Sequence, residues 1–131
     1  MRGFRVWSGY WKKYATEAEL YMDGSFDAIF EDDGGVPHHE NTDLVIEFDT
    51  GLKDKNGMVI HEGDIVMSDD GSRYLTGAVG WNEDYAKYEV IYNQLTGNSF
   101  EFEGDDGYPV ADLCEVIGNI HENPELLEEV E

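Results

Sequence analysis

The histidines are the first residues to consider for chemistry, because imidazole is a common metal ligand. His38 and His39 precede Glu40, whereas His61 and His121 lie elsewhere in the 131-residue chain. Side chains of adjacent residues in an extended chain point to opposite faces, so His38 and His39 form a poor chelate. The chain also lacks the His-x-x-x-His and Cys-x-x-Cys spacings of common metal sites. We therefore predict no metal site and no cofactor.

Carboxylates between residues 101 and 106 raise the question of calcium binding. Four of these six residues are Glu or Asp, and oxygen atoms are the ligands that Ca²⁺ prefers. The spacing of an EF-hand loop, with its central glycine and distal glutamate, is absent. The acid pairs directly before Gly71 and Gly107 are typical of turns. We interpret the acid pairs that precede Gly71 and Gly107 as turn residues.

The sequence offers no set of residues that would make a catalytic site. It contains no Gly-x-Ser-x-Gly, no phosphate-binding Walker loop and no His-Glu-x-x-His. Its one cysteine, Cys114, lies in an apolar strand-like stretch, which favours a buried thiol over a nucleophile. A single cysteine also cannot form an internal disulfide. We predict that the protein is not an enzyme.

The charge is strongly negative, with 8 Lys+Arg, 30 Asp+Glu and a formal net charge of −22. Such a balance argues against direct binding to nucleic acid or to anionic membranes, because both depend on cationic contacts to phosphate. Residues 15–51 contain 11 acids and no Lys or Arg. These acids form either a solvated surface or a face that attracts a basic partner. The candidate interaction surface consists of Asp27, Glu31, Asp32, Asp33, Glu40 and Asp43.

Two further hypotheses follow from the distribution of charge. The acidic surface could imitate nucleic acid and occupy the basic cleft of a host DNA-binding protein or nuclease. Alternatively, residues 2–14 combine four Lys and Arg with aromatic residues and no acid, a composition that can stack on bases. Four cations are few on a chain of this net charge, so stacking on bases is disfavoured. We therefore prefer packing or a protein contact as the role of those aromatic residues.

The elements that position these residues are mostly short strands. Aromatic residues make up 13% of the chain, and apolar residues alternate, so a disordered acidic tail is excluded. Strands are expected around Phe4–Trp7 and Leu44–Phe48 and in the regularly patterned part that follows Gly51, separated by Gly-centred turns. Trp7 and Trp81 fall in strand patterns and are expected in the core. The pattern predicts an antiparallel small barrel or sandwich.

Other segments carry different signals. Thr16 and Glu19 have the spacing of a capping box, which allows a short helix over residues 16–23, although a strand fits Leu20 and its neighbours equally well. Residues 23–43 read as a loop because they are rich in Asp, Gly and Pro. One helical turn is expected over residues 108–113. Asn123 and Pro124 predict the start of a short helix over residues 125–130.

The centre of the sequence carries a long motif. Glycines occur at positions 51, 57 and 63. Leu52 follows the first glycine, Ile60 precedes the third, and the third belongs to the run Glu62-Gly63-Asp64-Ile65-Val66. This block resembles the central motif of the YopX family of bacteriophage and prophage proteins. The opening Phe4-Arg5-Val6-Trp7 is similar to the family's N-terminal Phe-Arg-x-Trp.

The resemblance extends over nearly the whole chain. Gly77-x-Val79-x-Trp81 fits a strand of the family, and residues 115–127 resemble its C-terminal segment. Residues 23–43 and 93–110 match least. The shared motif residues are natural turn and core residues, so their role is interpreted as structural. They are Gly51, Leu52, Gly57, Gly63, Asp64, Trp81, Gly118 and Asn119.

The resemblance implies a mostly β protein. It implies a small SH3-like barrel with an N-terminal region attached. We place the barrel at residues 51–122, an N-terminal α+β extension of strands and loops packed on it at residues 1–50, and a short acidic C-terminal helix or tail at residues 123–131. The resemblance also implies phage or prophage origin and a bacterial cytoplasm, and it supplies no activity. The expected function is a non-enzymatic protein-interaction module whose partner is a protein, with nucleic-acid mimicry as the alternative.

Overall fold

Strands dominate both halves of the computed structural model, which describes residues 3–39, 43–69, 74–84, 86–93, 98–101 and 113–127. The chain divides into two units, Met1–Phe48 and Asp49–Glu131. The strands of the first unit are β1 (Phe4–Ser8), β2 (Lys13–Tyr14), β3 (Glu17–Leu20), β4 (Phe26–Glu31), β5 (Pro37–His39) and the first half of β6 (Leu44–Lys53). Those of the second unit are the rest of β6, β7 (Val59–His61), β8 (Asp64–Asp69), β9 (Tyr74–Asn82), β10 (Lys87–Asn93), β11 (Asn98–Glu101) and β12 (Cys114–Asn119).

The first unit contains two antiparallel sheets. One has the order β2-β1-β6, and the other has the order β3-β4-β5. The alternation of apolar residues in β4 gives this strand one buried face, whereas the consecutive residues Val6, Trp7 and Ser8 of β1 are all buried. Val6, Ala28 and Phe30 form the centre of this core, and partly buried residues of both sheets, including Phe4, Phe26 and Ile46, pack against it.

A buried charged group lies in the β2-β1-β6 sheet. Glu47 is only 3% exposed. Its Oε1 accepts hydrogen bonds of 2.9 Å from Arg5 Nε and from the Tyr14 hydroxyl. Arg5 also places its guanidinium carbon 4.5 Å from the centre of the Tyr14 ring. A carboxylate buried in this way is stable only when paired, so the three side chains act as one unit.

Of the two alternatives for residues 16–23, the short helix is wrong and the strand is correct, because this segment contains strand β3. The Thr16 hydroxyl donates to the carbonyl of Ile29 at 3.0 Å instead of capping a helix. Glu17 and Glu19 are exposed whereas Ala18 and Leu20 are half-buried, which is the two-residue period of a strand. Pairing with β4 therefore outweighs the local capping signal.

The loop expected over residues 23–43 is also wrong in part. Strands β4 and β5 lie within it and pair with each other, with Phe30 opposite His38. Turn residues separate the two strands, but the apolar alternation Phe26, Ala28, Phe30 determines the structure between the turns.

The second unit contains a five-stranded antiparallel sheet with the order β11-β10-β9-β8-β12. This sheet is curled into a half-barrel. β7 pairs with the second half of β6 through Asp49↔His61 and Lys53↔Val59. The core consists of Ile60, Val66, Val79, Val90 and Cys114, and Leu52 and Val116 pack against it. Ile60 and Val66 of the central motif are thus core residues, and Leu52 is partly buried against them.

The described part of the short helix predicted over residues 125–130 lies in a 3-10 turn over Pro124–Leu127. No residue of this turn is buried and none of its last residues is basic, so neither an apolar contact nor the helix dipole supports it. Residues 128–131 and most of the helical turn expected over residues 108–113 lie outside the described residues. In the part of the chain that the structure describes, no helix is long and apolar enough to cross a membrane.

Candidate functional site

The outer surface of the β3-β4-β5 sheet carries a group of carboxylates. Because Phe26, Ala28 and Phe30 of β4 point into the core, Asp27 and Glu31 point away from it. The β3–β4 register places Glu19 opposite Asp27 and Glu17 opposite Ile29. Paired residues share a face, so Glu17, Glu19, Asp27 and Glu31 project on the same side. We call these four residues the acidic face.

Part of the acidic face lines an open concavity with a volume of about 470 Å³. Its lining consists of Glu17, Ala18, Glu19, Asp27 and Ile29. Three of these five residues are carboxylates and none is a cation, so the concavity is electrostatically suited to a positively charged group. The side chain of Ile29 adds an apolar contact surface.

Two side chains next to the concavity interact with its carboxylates. His39 Nδ1 lies 3.2 Å from Asp27 Oδ1. The Tyr21 hydroxyl donates to Glu19 Oε2 at 3.1 Å, and this bond to a carboxylate raises the pKa of Tyr21 above its usual value. Both partners are exposed residues, so these contacts compete weakly with an incoming cation.

Of the five acids of the predicted interaction surface that the structure describes, only Asp27 and Glu31 belong to the acidic face. Asp32 begins the turn between β4 and β5, and its Oδ1 accepts hydrogen bonds from the backbone of Gly34 and Val36, each at 2.9 Å. Its Oδ2 lies 2.9 Å from His38 Nε2. The bond to His38, followed by those to the backbone, lowers the pKa of Asp32. Asp32 therefore organises the turn.

The remaining predicted acids lie elsewhere. Asp33 is exposed in the same turn as Asp32. Asp43 adopts a positive φ of 54°, and its carbonyl accepts a hydrogen bond of 2.9 Å from the backbone of Gly9. Glu40 lies outside the described residues.

The structure adds Glu17 and Glu19, which the sequence reasoning left out of the site. The signal that could have identified them is the alternation Glu17-Ala18-Glu19-Leu20, which matches a half-buried strand. The capping-box spacing of Thr16 and Glu19 concealed this signal, because a helix would have spread the two glutamates around its circumference.

The two adjacent histidines lie on opposite faces of β5, as strand alternation predicts. His38 contacts Asp32 and lies 5.1 Å from Trp11, ring centre to ring centre, while His39 contacts Asp27. Among the described residues, no three His, Cys, Asp or Glu side chains are grouped so that they could hold a metal ion.

The basic N-terminal segment packs on itself and on the neighbouring sheet. Lys13 lies over the Trp11 ring with its ammonium 5.7 Å from the ring centre, and it donates to the carbonyl of Glu31. Trp11 and Tyr10 are in edge-to-face contact at 5.3 Å. Tyr10 is nevertheless exposed. Lys13 therefore lies beside one end of β4, next to the acidic face.

Of the motif glycines expected in turns, Gly57 and Gly63 lie in turns, whereas Gly51 lies within β6, where the pairing with β7 is irregular. Gly51, Gly57 and Gly63 have positive φ values of 80°, 83° and 83°, a conformation that glycine adopts without steric cost. At position 118 a glycine avoids a steric clash, because a Cβ there would lie 2.5 Å from Asn123 Oδ1. The same Asn123 oxygen accepts a hydrogen bond of 3.2 Å from the backbone of Asn119.

The other motif residues fix local backbone and packing. Asp64 is 2% exposed, and its Oδ2 accepts a hydrogen bond of 2.7 Å from the backbone of His61. The side-chain oxygen of Asn119 accepts from the backbone of His121 and Glu122 at 3.0 and 2.9 Å. Trp7 is buried as expected, but Trp81 is 45% exposed, in edge-to-face contact with Tyr88 at 4.8 Å. The prediction that Trp81 is a core residue is therefore wrong, because it lies near the end of β9.

Comparison with known proteins places the chain in a family. The family described as "YopX protein" matches residues 3–128. The solved structure of protein EF1440 from Enterococcus faecalis is 27% identical, with a TM-score of 0.55, over 98% of this chain and 99% of that one. The solved structure of yopX from Bacillus subtilis is 21% identical, with a TM-score of 0.59, over 95% of this chain and 97% of that one. No curated protein matches the sequence. The match over nearly the full length, together with the motif residues, shows that this chain belongs to the YopX family.

Proposed function

We propose that this protein is a non-enzymatic interaction module of phage or prophage origin that binds a basic protein in the cytoplasm of the bacterial host. The acidic face is the binding surface in this proposal. The observation that carries it is the convergence of Glu17, Glu19 and Asp27 on one open concavity without a cation in its lining. The proposal includes an SH3-like barrel in the second unit, which the curled five-stranded sheet supports.

The electrostatics of the whole chain favour such a partner. A net charge of −22 attracts a cationic protein over the Debye length, about 8 Å at physiological ionic strength. The local carboxylates then select the docking position, since exposed ion pairs contribute about 0.2 to 1 kcal/mol each. Contact with Ile29 adds apolar area to the interface.

Nucleic-acid mimicry is the second candidate, and one spacing favours it. Glu17 and Glu19 lie two residues apart on a strand, which separates them by about 7 Å. This is close to the roughly 7 Å between successive phosphates of one DNA strand. A mimic would bind the nucleic-acid cleft of its target and would displace DNA or RNA from it.

Charge reversal tests the acidic face against the general charge. The variant Glu17→Lys/Glu19→Lys is compared with Glu83→Lys/Asp84→Lys, which changes the net charge equally in an exposed turn between β9 and β10. Each tagged protein captures partners from lysate of the bacterial host, and a salt gradient elutes them. We expect a basic protein that the wild type and the Glu83/Asp84 variant retain and the Glu17/Glu19 variant loses.

Equal loss of the partner in both variants would overturn the proposal, because general charge would then explain binding. Retention in both would overturn it as well. Addition of duplex DNA to the captured complex separates the two candidates. Release of this protein by DNA supports mimicry, whereas resistance to DNA supports an ordinary protein interface.

A further inference from the structure

We propose that β3 binds its partner by strand addition, with an extended segment of alternating basic and apolar residues pairing along its free edge. This inference rests on the proposed function and specifies its geometry. Within the described residues, β3 is the outermost strand of the β3-β4-β5 sheet.

The backbone hydrogen bonds show which groups of β3 point outward. The Tyr21 N–H donates to the Ser25 carbonyl at 2.8 Å, so these two residues form a hydrogen-bonded pair. Hydrogen-bonded and non-hydrogen-bonded pairs alternate along antiparallel strands. In the observed register, Glu17 and Glu19 therefore direct their backbone groups toward β4. Ala18 and Leu20 direct their N–H and C=O groups to the opposite edge, where a further strand can bind them.

The concavity of the acidic face lies beside this strand. Glu17, Ala18 and Glu19 are consecutive residues of β3, and all three line it. A strand added along β3 would therefore pass next to the carboxylates that line the concavity.

The side chains of β3 determine the chemistry of the added strand. Residues that face each other across two strands lie about 5 Å apart on the same side of the sheet. Positions opposite Glu17 and Glu19 would therefore hold Lys or Arg. Positions opposite Ala18 and Leu20 would be apolar, because Ala18 packs on the core of Val6, Ala28 and Phe30. The added strand would therefore carry Lys or Arg on one face and apolar side chains on the other.

The test uses the full-length protein and the synthetic peptide acetyl-Thr-Lys-Val-Lys-Val-Lys-Thr-amide. In the proposed register, the Val amides point toward β3 and the Lys amides point toward solvent. N-methylation of both Val amides should weaken binding about tenfold or more, since it removes two hydrogen bonds. N-methylation of two Lys amides should change affinity less than about twofold, and this peptide is the matched control.

Amide signals of the protein provide an independent measurement. We expect slower hydrogen exchange at Ala18 and Leu20 in the complex, because their N–H groups would become bonded. Glu17→Gln and Glu19→Gln should each weaken peptide binding about two- to fivefold. The control variant Glu83→Gln/Asp84→Gln should bind as the wild type does.

The outcomes distinguish strand addition from the broader proposal. If binding depends on Glu17 and Glu19 but not on which amides are methylated, strand addition is wrong and the acidic face remains the binding surface. If methylation of Val weakens binding but the glutamine variants do not, the edge binds the peptide and the charge-based function fails. Absence of peptide binding, or unchanged exchange at Ala18 and Leu20, would refute strand addition.

Discussion

Asp54 Oδ2 accepts a hydrogen bond of 2.9 Å from the backbone N–H of Val116, which lies 62 residues later in the chain. The other carboxylate oxygen accepts from the backbone of Asn56 and Met58, each at 2.9 Å. Asp54 is 4% exposed. In addition, the N–H of Lys55 donates to the carbonyl of Cys114 at 2.9 Å. One carboxylate thus shapes the turn between β6 and β7 and attaches it to the edge of β12.

Replacement of Asp54 should lower the stability of the second unit. Asp54→Ala removes the acceptor of three partly buried backbone hydrogen bonds, and we expect the free energy of unfolding to fall by about 2 to 4 kcal/mol. Asp54→Asn keeps an oxygen for the turn but places an NH₂ group against the N–H of Val116, so its loss should be smaller yet clear. Urea denaturation measures both. Asp33→Ala, in an exposed turn, is the control and should unfold like the wild type. An Asp54→Ala protein as stable as this control would contradict the role of Asp54.

Acid should destabilise the fold below about pH 4. Burial alone would raise the pKa of Asp54, but its bonds from the backbone of Val116, Met58 and Asn56 outweigh burial and lower it. A folded pKa below the unfolded value of about 3.9 means that stability is fully present above that pH and is lost as pH falls through the folded pKa. Unfolding curves between pH 2 and pH 7 test this, and Asp54→Asn should show a shallower decline than the wild type. An identical decline in the two proteins would exclude Asp54 as a source of the acid sensitivity.

Two glycines of β9 differ in the space around them, so Gly→Ala substitutions at the two positions can be compared directly. A Cβ on Gly77 would lie 2.4 Å from the carbonyl oxygen of Ile91, whereas a Cβ on Gly80 would meet only Ile91 Cδ1 at 3.6 Å. The Ile91 backbone belongs to the ladder between β9 and β10 and cannot move without disturbing it. We expect Gly77→Ala to cost about 2 to 4 kcal/mol of unfolding free energy and Gly80→Ala less than about 1 kcal/mol. Similar losses in the two variants would show that β10 adjusts to the added methyl group.

The thiol of Cys114 should be unreactive in the folded protein. It is fully buried, and burial raises its pKa to about 11, so almost no thiolate is present at pH 8. The chain has one cysteine, so a thiol reagent such as DTNB should release one equivalent of chromophore per chain in 6 M guanidinium and almost none in native buffer. Fast, complete labelling of the native protein would mean that the edge at β12 opens readily.

The amino-acid sequence alone indicates several of the strands and part of the core. Ile60 and Val66 of the central motif are both core residues. It also indicated the turns at Gly57 and Gly63, because a positive φ there requires the residue that tolerates it. Family membership followed from the same residues. These features are local, so neighbouring positions along the chain contain the necessary information.

Contacts between residues that lie far apart in sequence are visible only in the folded chain. The residues of β3 can form a capping box or a strand, and pairing with β4 selects the strand. Glu47 looks like one more acid in a negative segment, yet Arg5 and Tyr14 bind it in a buried position. Glu17 and Glu19 join Asp27 on one face because the register brings them together. In each case the free energy comes from contacts between distant residues, which local composition and spacing do not encode.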